Sequence, residues 1–513
     1  MLPLDKNISL LKTYQTKLIL GLACLASFCH IYIFNETNMN VIDEMQYMLG
    51  ILGESKDSVY PSPLFFFLNK HIHFSNNVVE NARFLNLTFY LLGLIPIYKL
   101  AKKYLGYKSV FFIVIFYLFS PFSQYITNVM PEIIFGTFFY WILYLLDKVN
   151  FKPNLIPLLI LSVLEILLIY TKSHGIFLIP VIALLMILSE SNTLRRFTTP
   201  IIFVLLVFVG KFIIDTYINS NIFIFGGVYE SIYKSNSYIS SDILMRFIVN
   251  FLGHLLYIIT FLTPIFLLVF FKKIKLINFF SREKFILFIY ILMITLAFIS
   301  SYYIAFKSDE ILNRLHERYY AFIFSPLLIA YLSFFPKIDF GKNEYKLYVI
   351  TSSLLILIAS IFLTHYYQLS YIDNANINSF FSSNFLFIGL IFILLLNFFN
   401  ILKFHFGLIS ILIIFAILIS PLGYIARKNN TPPDSAGLLV CKNNLPVENV
   451  YVDSFVSFGF FYYNCPGKYT VNYFDNFDFK FKPHSIYIGN FVYKNAEKFS
   501  QITKFDDSIF FKE

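Results

Sequence analysis

In the stretch FNETNMNVIDEMQYMLG, residues 34–50, two adjacent acids, Asp43 and Glu44, follow the first long apolar run of a chain that otherwise avoids charge. An ionised carboxylate within hydrogen-bond reach of a hydroxyl is a general base. Further ionisable groups stand beside later apolar runs: Arg83 in ENARFLN, Glu132 in NVMPEIIF, Lys172 and His174 in YTKSHGIF, and Arg314, His316, Glu317 and Arg318 in NRLHERYYAFIFSP. Carboxylates mixed with cations suit a phosphate-bearing substrate that has a proton to lose, because fixed Arg and Lys groups meet the phosphate while a carboxylate meets the proton. Each residue also has a plainer reading. Arg83, Lys172 and Arg318 fit membrane-end anchors whose charged heads reach water. Glu132, just after Pro131, fits a helix start where the dipole favours a carboxylate. Asp43 and Glu44 fit solvated loop acids.

The elements that must position these groups are apolar. The chain has 513 residues, 58% hydrophobic and 14% charged, with mean hydropathy +0.69, whereas soluble chains are about a quarter charged. Apolar runs of about 17 to 22 residues recur, each long enough to cross a hydrocarbon core as a helix. The expectation is a polytopic α-helical membrane protein of about 13 transmembrane helices. They lie near 18–34, 84–101, 109–125, 132–147, 155–171, 175–189, 198–217, 247–271, 285–305, 319–335, 346–365, 384–402 and 405–425. The first run follows a lysine-bearing leader but lacks a convincing small-residue cleavage site, so it reads as a retained helix.

With the N-terminus cytoplasmic, the inside segments hold about 20 Lys or Arg against about 9 in the opposite short loops, so charge bias selects this orientation. The net charge of +10 is explained by these loops, and no nucleic-acid partner is expected. Asp43 and Glu44 then fall in an outer loop, 35–83, whose second half, YPSPLFFFLNKHIHF, reads as an interfacial helix. Arg83, Glu132, Lys172, His174, Arg314, His316 and Arg318 share the outer face.

Deeper charges need a partner or a cavity, since each costs about 2.5 to 3.5 kcal/mol on insertion scales. Lys211 and Asp215, four apart, read as an ion pair on one helix face. Glu165 lies about two turns from Lys172 and is placed to line the cavity. His254 reads as a hydrogen-bonded interior histidine, and Cys24 and Cys29 as small packing residues.

The transmembrane region, 1–425, gives way at 426–513 to different material. NVYVDSFVSFGFFYYNC, KYTVNYFDNFDFKF and SIYIGNFVY show partial alternation between Pro, Gly and Asn. They predict strands of a small extracytoplasmic α/β or β-rich domain. Cys441 and Cys465 stand there, and the simplest reading in an oxidising compartment is a disulfide; two unpaired thiols are the alternative.

Taken in order, the acid pair DE followed by Tyr47, the Arg83 entry to the second span, the MPE of Glu132, the TK..G turn of Lys172 and the RY....P entry of Arg318 resemble the polyprenyl-phosphate-dependent C-type glycosyltransferase superfamily. The protein O-mannosyltransferases and lipid A aminoarabinose transferases are the nearest groups. The resemblance covers residues 1 to about 335, and the tail matches it only as a small outer domain after the last span; the segment 218–246 has no counterpart in it, and the C-terminal domain carries no recognisable sugar-binding repeat. It implies a membrane-embedded, multi-pass transferase of the cell membrane whose partners are a polyprenyl-phosphate-linked sugar, the membrane lipid, and a glycan, lipid or protein acceptor. By the same resemblance Asp43 matches the catalytic aspartate of the first loop, with Glu44 beside it and Glu132 at the mouth of the site. Tyr47, Arg83, Lys172, His174, Arg314, His316 and Arg318 fall where substrate and phosphate are met.

The chemistry of these residues agrees. Attack of an acceptor hydroxyl on the anomeric carbon needs a carboxylate base, and the departing phosphate gains charge that fixed cations stabilise. No cofactor is required by this scheme; a divalent metal held by Asp43, Glu132 or His316 is compatible with it, though their spacing specifies none. Two other classes fit the outer loops: a transporter or flippase for lipid-linked sugars, which calls for charges at the membrane midplane, and a polymerase- or ligase-like protein of cell-envelope glycans.

Overall fold

The computed structural model describes residues 4–36, 62–218, 241–271, 284–306 and 315–334, scattered positions within 44–51 and 344–367, and four short strands between 449 and 512. Eleven helices carry the described bundle: α1 (Leu4–Glu36), α2 (Pro63–His71), α3 (Val78–Tyr104), α4 (Tyr107–Phe119), α5 (Glu132–Lys148), α6 (Leu155–Thr171), α7 (Leu178–Ser189), α8 (Thr193–Ile218), α9 (Ser241–Phe271), α10 (Lys284–Phe306) and α11 (Phe324–Phe334). The 3-10 segments Pro121–Thr127, Ser173–Phe177, Glu317–Tyr319 and Ala321–Ile323 interrupt them.

Helix α3 shows how the sequence sets a boundary. The Asn77 side chain accepts from the backbone N–H groups of Val79 (2.9 Å) and Glu80 (3.3 Å), filling two of the donors a helix start leaves open. Helix α3 packs on α4 and α5, α5 on α6, and α6 on α8, while α9 pairs with α10. Between α3 and α4, Tyr90 and Tyr117 stack with ring centroids 4.4 Å apart, and each hydroxyl donates to the other's backbone carbonyl. Tyr140 on α5 donates to the Phe322 carbonyl at 2.8 Å, and Phe139 meets the Phe322 ring at 4.8 Å. These contacts bring the segment before α11 onto the α3–α5 core, although nearly two hundred residues separate them in sequence.

Among the described residues, five helices are long and apolar enough to cross a membrane: Val78–Tyr104, Ser109–Thr127, Thr193–Tyr217, Ser241–Ile258 and Lys284–Phe306. The expectation of about 13 spans also counts runs outside the described residues, and some described helices are short. Leu155–Thr171 has 17 residues, about 25 Å of helix against a hydrocarbon core of about 30 Å. Helices α7 and α11 each start after a 3-10 turn that takes the first residues of their apolar run. The expected runs 384–402 and 405–425 lie outside the described residues.

Helix α2 stands in the part of the 35–83 loop read as helical. Pro63 stands at its start, where a missing N–H costs nothing, and it buries Phe65 while exposing Phe67. The expected ion pair is present, with Lys211 Nζ on Asp215 Oδ2 and the Tyr170 hydroxyl donating to Asp215 Oδ1 at 2.5 Å, so α8 is fastened to α6. His254 is fully buried and hydrogen-bonded through Nδ1 to the Tyr320 hydroxyl at 2.8 Å. Cys24 and Cys29 correct the packing expectation: both are exposed on the surface of α1.

In the tail, β1 (Asn449–Val452), β2 (Thr470–Tyr473), β3 (Ser485–Ile488) and β4 (Ile509–Lys512) form one sheet of order β2-β1-β3-β4. The first two pairings are parallel, Val450 opposite Val471 and Ile486, and the third is antiparallel, Ile486 opposite Phe511. The first three strands lie inside the three segments read as strands. β4, in DSIFFKE, has only four residues and too little alternation to register. Cys441 and Cys465 lie outside the described residues.

Candidate active site

Three helix ends meet at one small cleft. Glu132 is the first residue of α5, preceded by Pro131, a position where the helix dipole favours a carboxylate. Lys172 caps the end of α6 in an extended conformation (φ −149°, ψ 133°), and the 3-10 turn that follows carries His174. Arg318 and Tyr319 come from the 3-10 segment ahead of α11. Glu132, Phe135, Lys172, His174, Arg318, Tyr319 and Phe322 line a cleft of about 230 Å³, open mouth included.

The tightest contact in it is an ion pair between Lys172 Nζ and Glu132 Oε1, 2.7 Å apart, with side chains only 10% and 3% exposed. Glu132 Oε2 has no hydrogen-bond partner among the described residues. Tyr319 is the common surface: Lys172 Nζ sits 5.2 Å and Arg318 Cζ 5.4 Å from its ring centroid, both within cation–π range. The His174 ring lies 4.4 Å and the His316 ring 5.7 Å from the same centroid. Burial holds the His174 imidazole well below its ordinary titration range, and the neighbouring charges of Lys172 and Arg318 push it in the same direction. At neutral pH it is therefore uncharged.

The turn that presents Lys172 and His174 is compact because of Gly175. A Cβ at that position would lie 2.9 Å from the Ile169 backbone nitrogen and 3.1 Å from its Cα, and backbone cannot move aside as a side-chain tip can. The Gly175 N–H donates to the Lys172 carbonyl at 2.9 Å. From the other side Ser62, at the start of α2, donates to the Thr171 carbonyl, so α2 is tied to the residue preceding Lys172.

A second group fixes the chain that enters α5. Glu44 Oε1 accepts from the Val129 N–H at 2.9 Å. Arg83 Nε donates to the Thr127 carbonyl at 2.8 Å, and Asn86 Nδ2 donates to the carbonyls of Asn128 (2.8 Å) and Met130 (3.2 Å). All three side chains are fully buried. Arg83 is therefore no end-anchor, and Glu44 no solvated acid; neither lines the cleft. They hold the strand of backbone that delivers Glu132.

Of the residues singled out in the sequence, Glu132, Lys172, His174 and Arg318 converge, and His316 reaches the group through Tyr319. Tyr47 packs on α2 instead, edge-on to Phe65 at 5.9 Å. Glu165 is fully buried on α6, with neither carboxylate oxygen hydrogen-bonded among the described residues, and it does not reach the cleft lining. Asp43 and Arg314 lie outside the described residues. No group of three His, Cys, Asp or Glu among the described residues is arranged to hold a metal ion. Sequence reasoning missed Tyr319 and Asn86. Tyr319 had a signal, adjacency to Arg318 in HERYY, but Asn86 in RFLNLTF had none.

Residues 62–218 match the family model described as dolichyl-phosphate-mannose-protein mannosyltransferase. Among curated proteins none matches the chain in sequence. In fold, the chain is similar to ArnT from Cupriavidus metallidurans bound to undecaprenyl phosphate, at 12% identity and TM-score 0.56, over 96% of this chain and 97% of that one. The apo state of the same protein gives 12% identity and TM-score 0.57, over 97% of each chain. The segment matched by the family model is the one that carries Arg83, Glu132, Lys172 and His174. The chain thus bears out the resemblance read in its motifs, being similar to the polyprenyl-phosphate-dependent C-type glycosyltransferases by sequence over residues 62–218 and by fold over nearly its whole length.

Proposed function

We propose that this chain is a membrane glycosyltransferase that moves a sugar from a polyprenyl-phosphate donor to an extracytoplasmic glycan, lipid or protein acceptor, with inversion at the anomeric carbon. One observation carries the reading. Glu132, Lys172, His174 and Arg318, from three separate stretches of sequence, line one cleft, an arrangement that independent end-anchors would have no reason to adopt. The family match and the ArnT-like fold support the same assignment.

In this scheme the acceptor oxygen bonds to the anomeric carbon as the carbon–oxygen bond to phosphate breaks. The Asp43 carboxylate takes the acceptor proton, and polyprenyl phosphate leaves with the bonding electrons. Lys172 and Arg318 stabilise the charge that grows on the leaving phosphate, with Tyr319 holding both in place. Glu132 orients Lys172 through Oε1 and offers Oε2 to a sugar or acceptor hydroxyl. Glu44, Arg83 and Asn86 act by positioning the Glu132 backbone, while Tyr47 keeps the first loop against α2. Arg314 and His316 complete the phosphate side. The N-terminus is cytoplasmic and the tail extracytoplasmic, and no step needs a metal or cofactor.

Asp43→Asn tests the reading in membranes supplied with labelled polyprenyl-phosphate sugars and an envelope extract. The expected result is loss of transfer by about 10²- to 10⁴-fold, the usual contribution of a general base, with donor binding retained. Transfer at the unsubstituted rate removes Asp43 as base. A lipid-linked sugar moved across the bilayer without a transfer product supports the flippase reading instead.

A further inference from the structure

The end of the bundle opposite the cleft carries a cluster that the proposed reaction does not use. Arg83 stands in the first turns of α3; Lys99 and Lys102 stand in its last turns. The exposed face of α3 runs through Leu92 (44% exposed) and Ile95 (40% exposed) and continues, at helical spacing, to the exposed Lys99. An apolar stripe ending in a cation is the profile of a helix face that follows a lipid from acyl chain to headgroup. Across from it on α5 are Trp141 and Tyr144, both partly exposed. Lys99 Nζ lies 5.9 Å from the Trp141 ring centroid and 5.2 Å from that of Tyr144. Lys102 Nζ lies 5.7 Å over Tyr98.

The neighbouring lysine provides the contrast. Lys103 is neutralised by Asp147 at 2.7 Å. Among the described residues, neither Lys99 nor Lys102 has a carboxylate partner. Two ammonium groups are thus held on aromatic faces at the end of an exposed apolar stripe with their charge uncompensated among the described residues. Aromatic faces restrict a lysine's rotamers without supplying an anion, so the group that completes the site must be anionic, and the stripe says that it arrives with acyl chains attached.

We propose that α3 and α5 form a binding site for one anionic phospholipid in the leaflet farther from the catalytic cleft, its phosphate on Lys99 and Lys102 and its chains on Leu92, Ile95 and Trp141. A zwitterionic lipid brings its own cation to the same place and is disfavoured there.

Trp141 is the chain's single tryptophan, so its fluorescence reports from the site alone. The full-length protein is placed in nanodiscs of phosphatidylcholine and phosphatidylglycerol at equal mole fraction, with acyl-chain bromines first on one lipid and then on the other. Each lysine near an anionic headgroup favours it by about fivefold. Brominated phosphatidylglycerol is therefore expected to quench Trp141 with an apparent affinity at least about fivefold above brominated phosphatidylcholine. In the double variant Lys99→Gln, Lys102→Gln the ratio should fall to near one. Equal quenching by the two lipids in the unsubstituted protein overturns the proposal, as does a ratio unchanged in a folded double variant. If that variant does not fold, the comparison of the two lipids on the unsubstituted protein still decides.

Discussion

The pair between Lys172 and Glu132 separates a structural from a chemical role for the cleft. At 2.7 Å and with 10% and 3% exposure, the two charges attract by about 6 kcal/mol at an effective dielectric of about 20. Desolvation offsets much of this, so the measurable quantity is the cost of breaking the pair by removing one partner, about 3 to 5 kcal/mol. Lys172→Met leaves Glu132 buried without its cation and should cost about that much in detergent, read as a lower thermal midpoint. Adding Glu132→Leu removes the stranded charge, and replacing both members of a buried pair by apolar groups is close to neutral. The double variant should therefore recover most of the stability that Lys172→Met loses.

Transfer activity should not follow. If Lys172 stabilises the leaving phosphate, removing it costs about 10²-fold or more in rate, the scale of one preorganised donor, and the double variant remains as inactive as Lys172→Met. Assaying labelled-sugar transfer and the thermal midpoint on the same preparations separates the two. A double variant with restored transfer would show that Lys172 only neutralises Glu132, and the phosphate role would be withdrawn. A single variant with unchanged midpoint would refute the burial argument itself.

Three further outcomes follow from the same geometry. Gly175→Ala forces a Cβ to 2.9 Å from the Ile169 nitrogen and should cost about 1 to 3 kcal/mol, with transfer falling in parallel because the Lys172 turn shifts; both are read on purified protein. Arg83→Met removes the donor to the Thr127 carbonyl and should cost about 1 to 3 kcal/mol, with Asn86→Leu acting on the same loop less than additively, measured as a double-mutant cycle. His174, whose titration is pushed below the ordinary value of about 6.5, remains neutral when the unfolded chain takes up its proton. Stability is thus full above that value and falls as pH drops below it, and His174→Phe should flatten the decline in thermal midpoint between about pH 7.5 and 5.

How much of this was legible in the sequence depends on the kind of signal each part leaves. Helix existence was legible, because apolar runs are long and bounded by charge; α3, α5, α6, α8 and α10 fall where hydropathy places them. Helix length was less legible, because hydropathy does not see the 3-10 turns at Ser173–Phe177 and Ala321–Ile323 that shorten helices. In the site, residues at helix ends could be assigned to one face, and Glu132, Lys172, His174 and Arg318 do meet. What a linear reading could not give is direction within that face. Arg83 and Glu44 sit at the same level as the cleft, but turn to backbone at Thr127 and Val129, a choice decided by three-dimensional packing. Tyr319 is a different case: it stands beside Arg318 in HERYY, but as one of 37 tyrosines it gains a role only when two cations are seen on its ring.

That ring bears on how a cleft so small serves a leaving group whose charge changes. With His174 neutral, the side chains of Glu132, Lys172 and Arg318 leave one net positive charge among the lining groups. A sugar linked to a polyprenyl phosphate carries one negative charge and matches it. As the bond to the anomeric carbon breaks, a second charge develops on a phosphate monoester whose second proton has a pKa of about 6. His174 lies against Tyr319, kept neutral by its burial and by the charges of Lys172 and Arg318. On the proposed reading the fixed charges of Lys172 and Arg318 meet the charge that grows on the departing phosphate. The same fixed cations face one charge in the donor and nearly two in the departing phosphate, so the stabilisation grows along the reaction, as transition-state stabilisation requires.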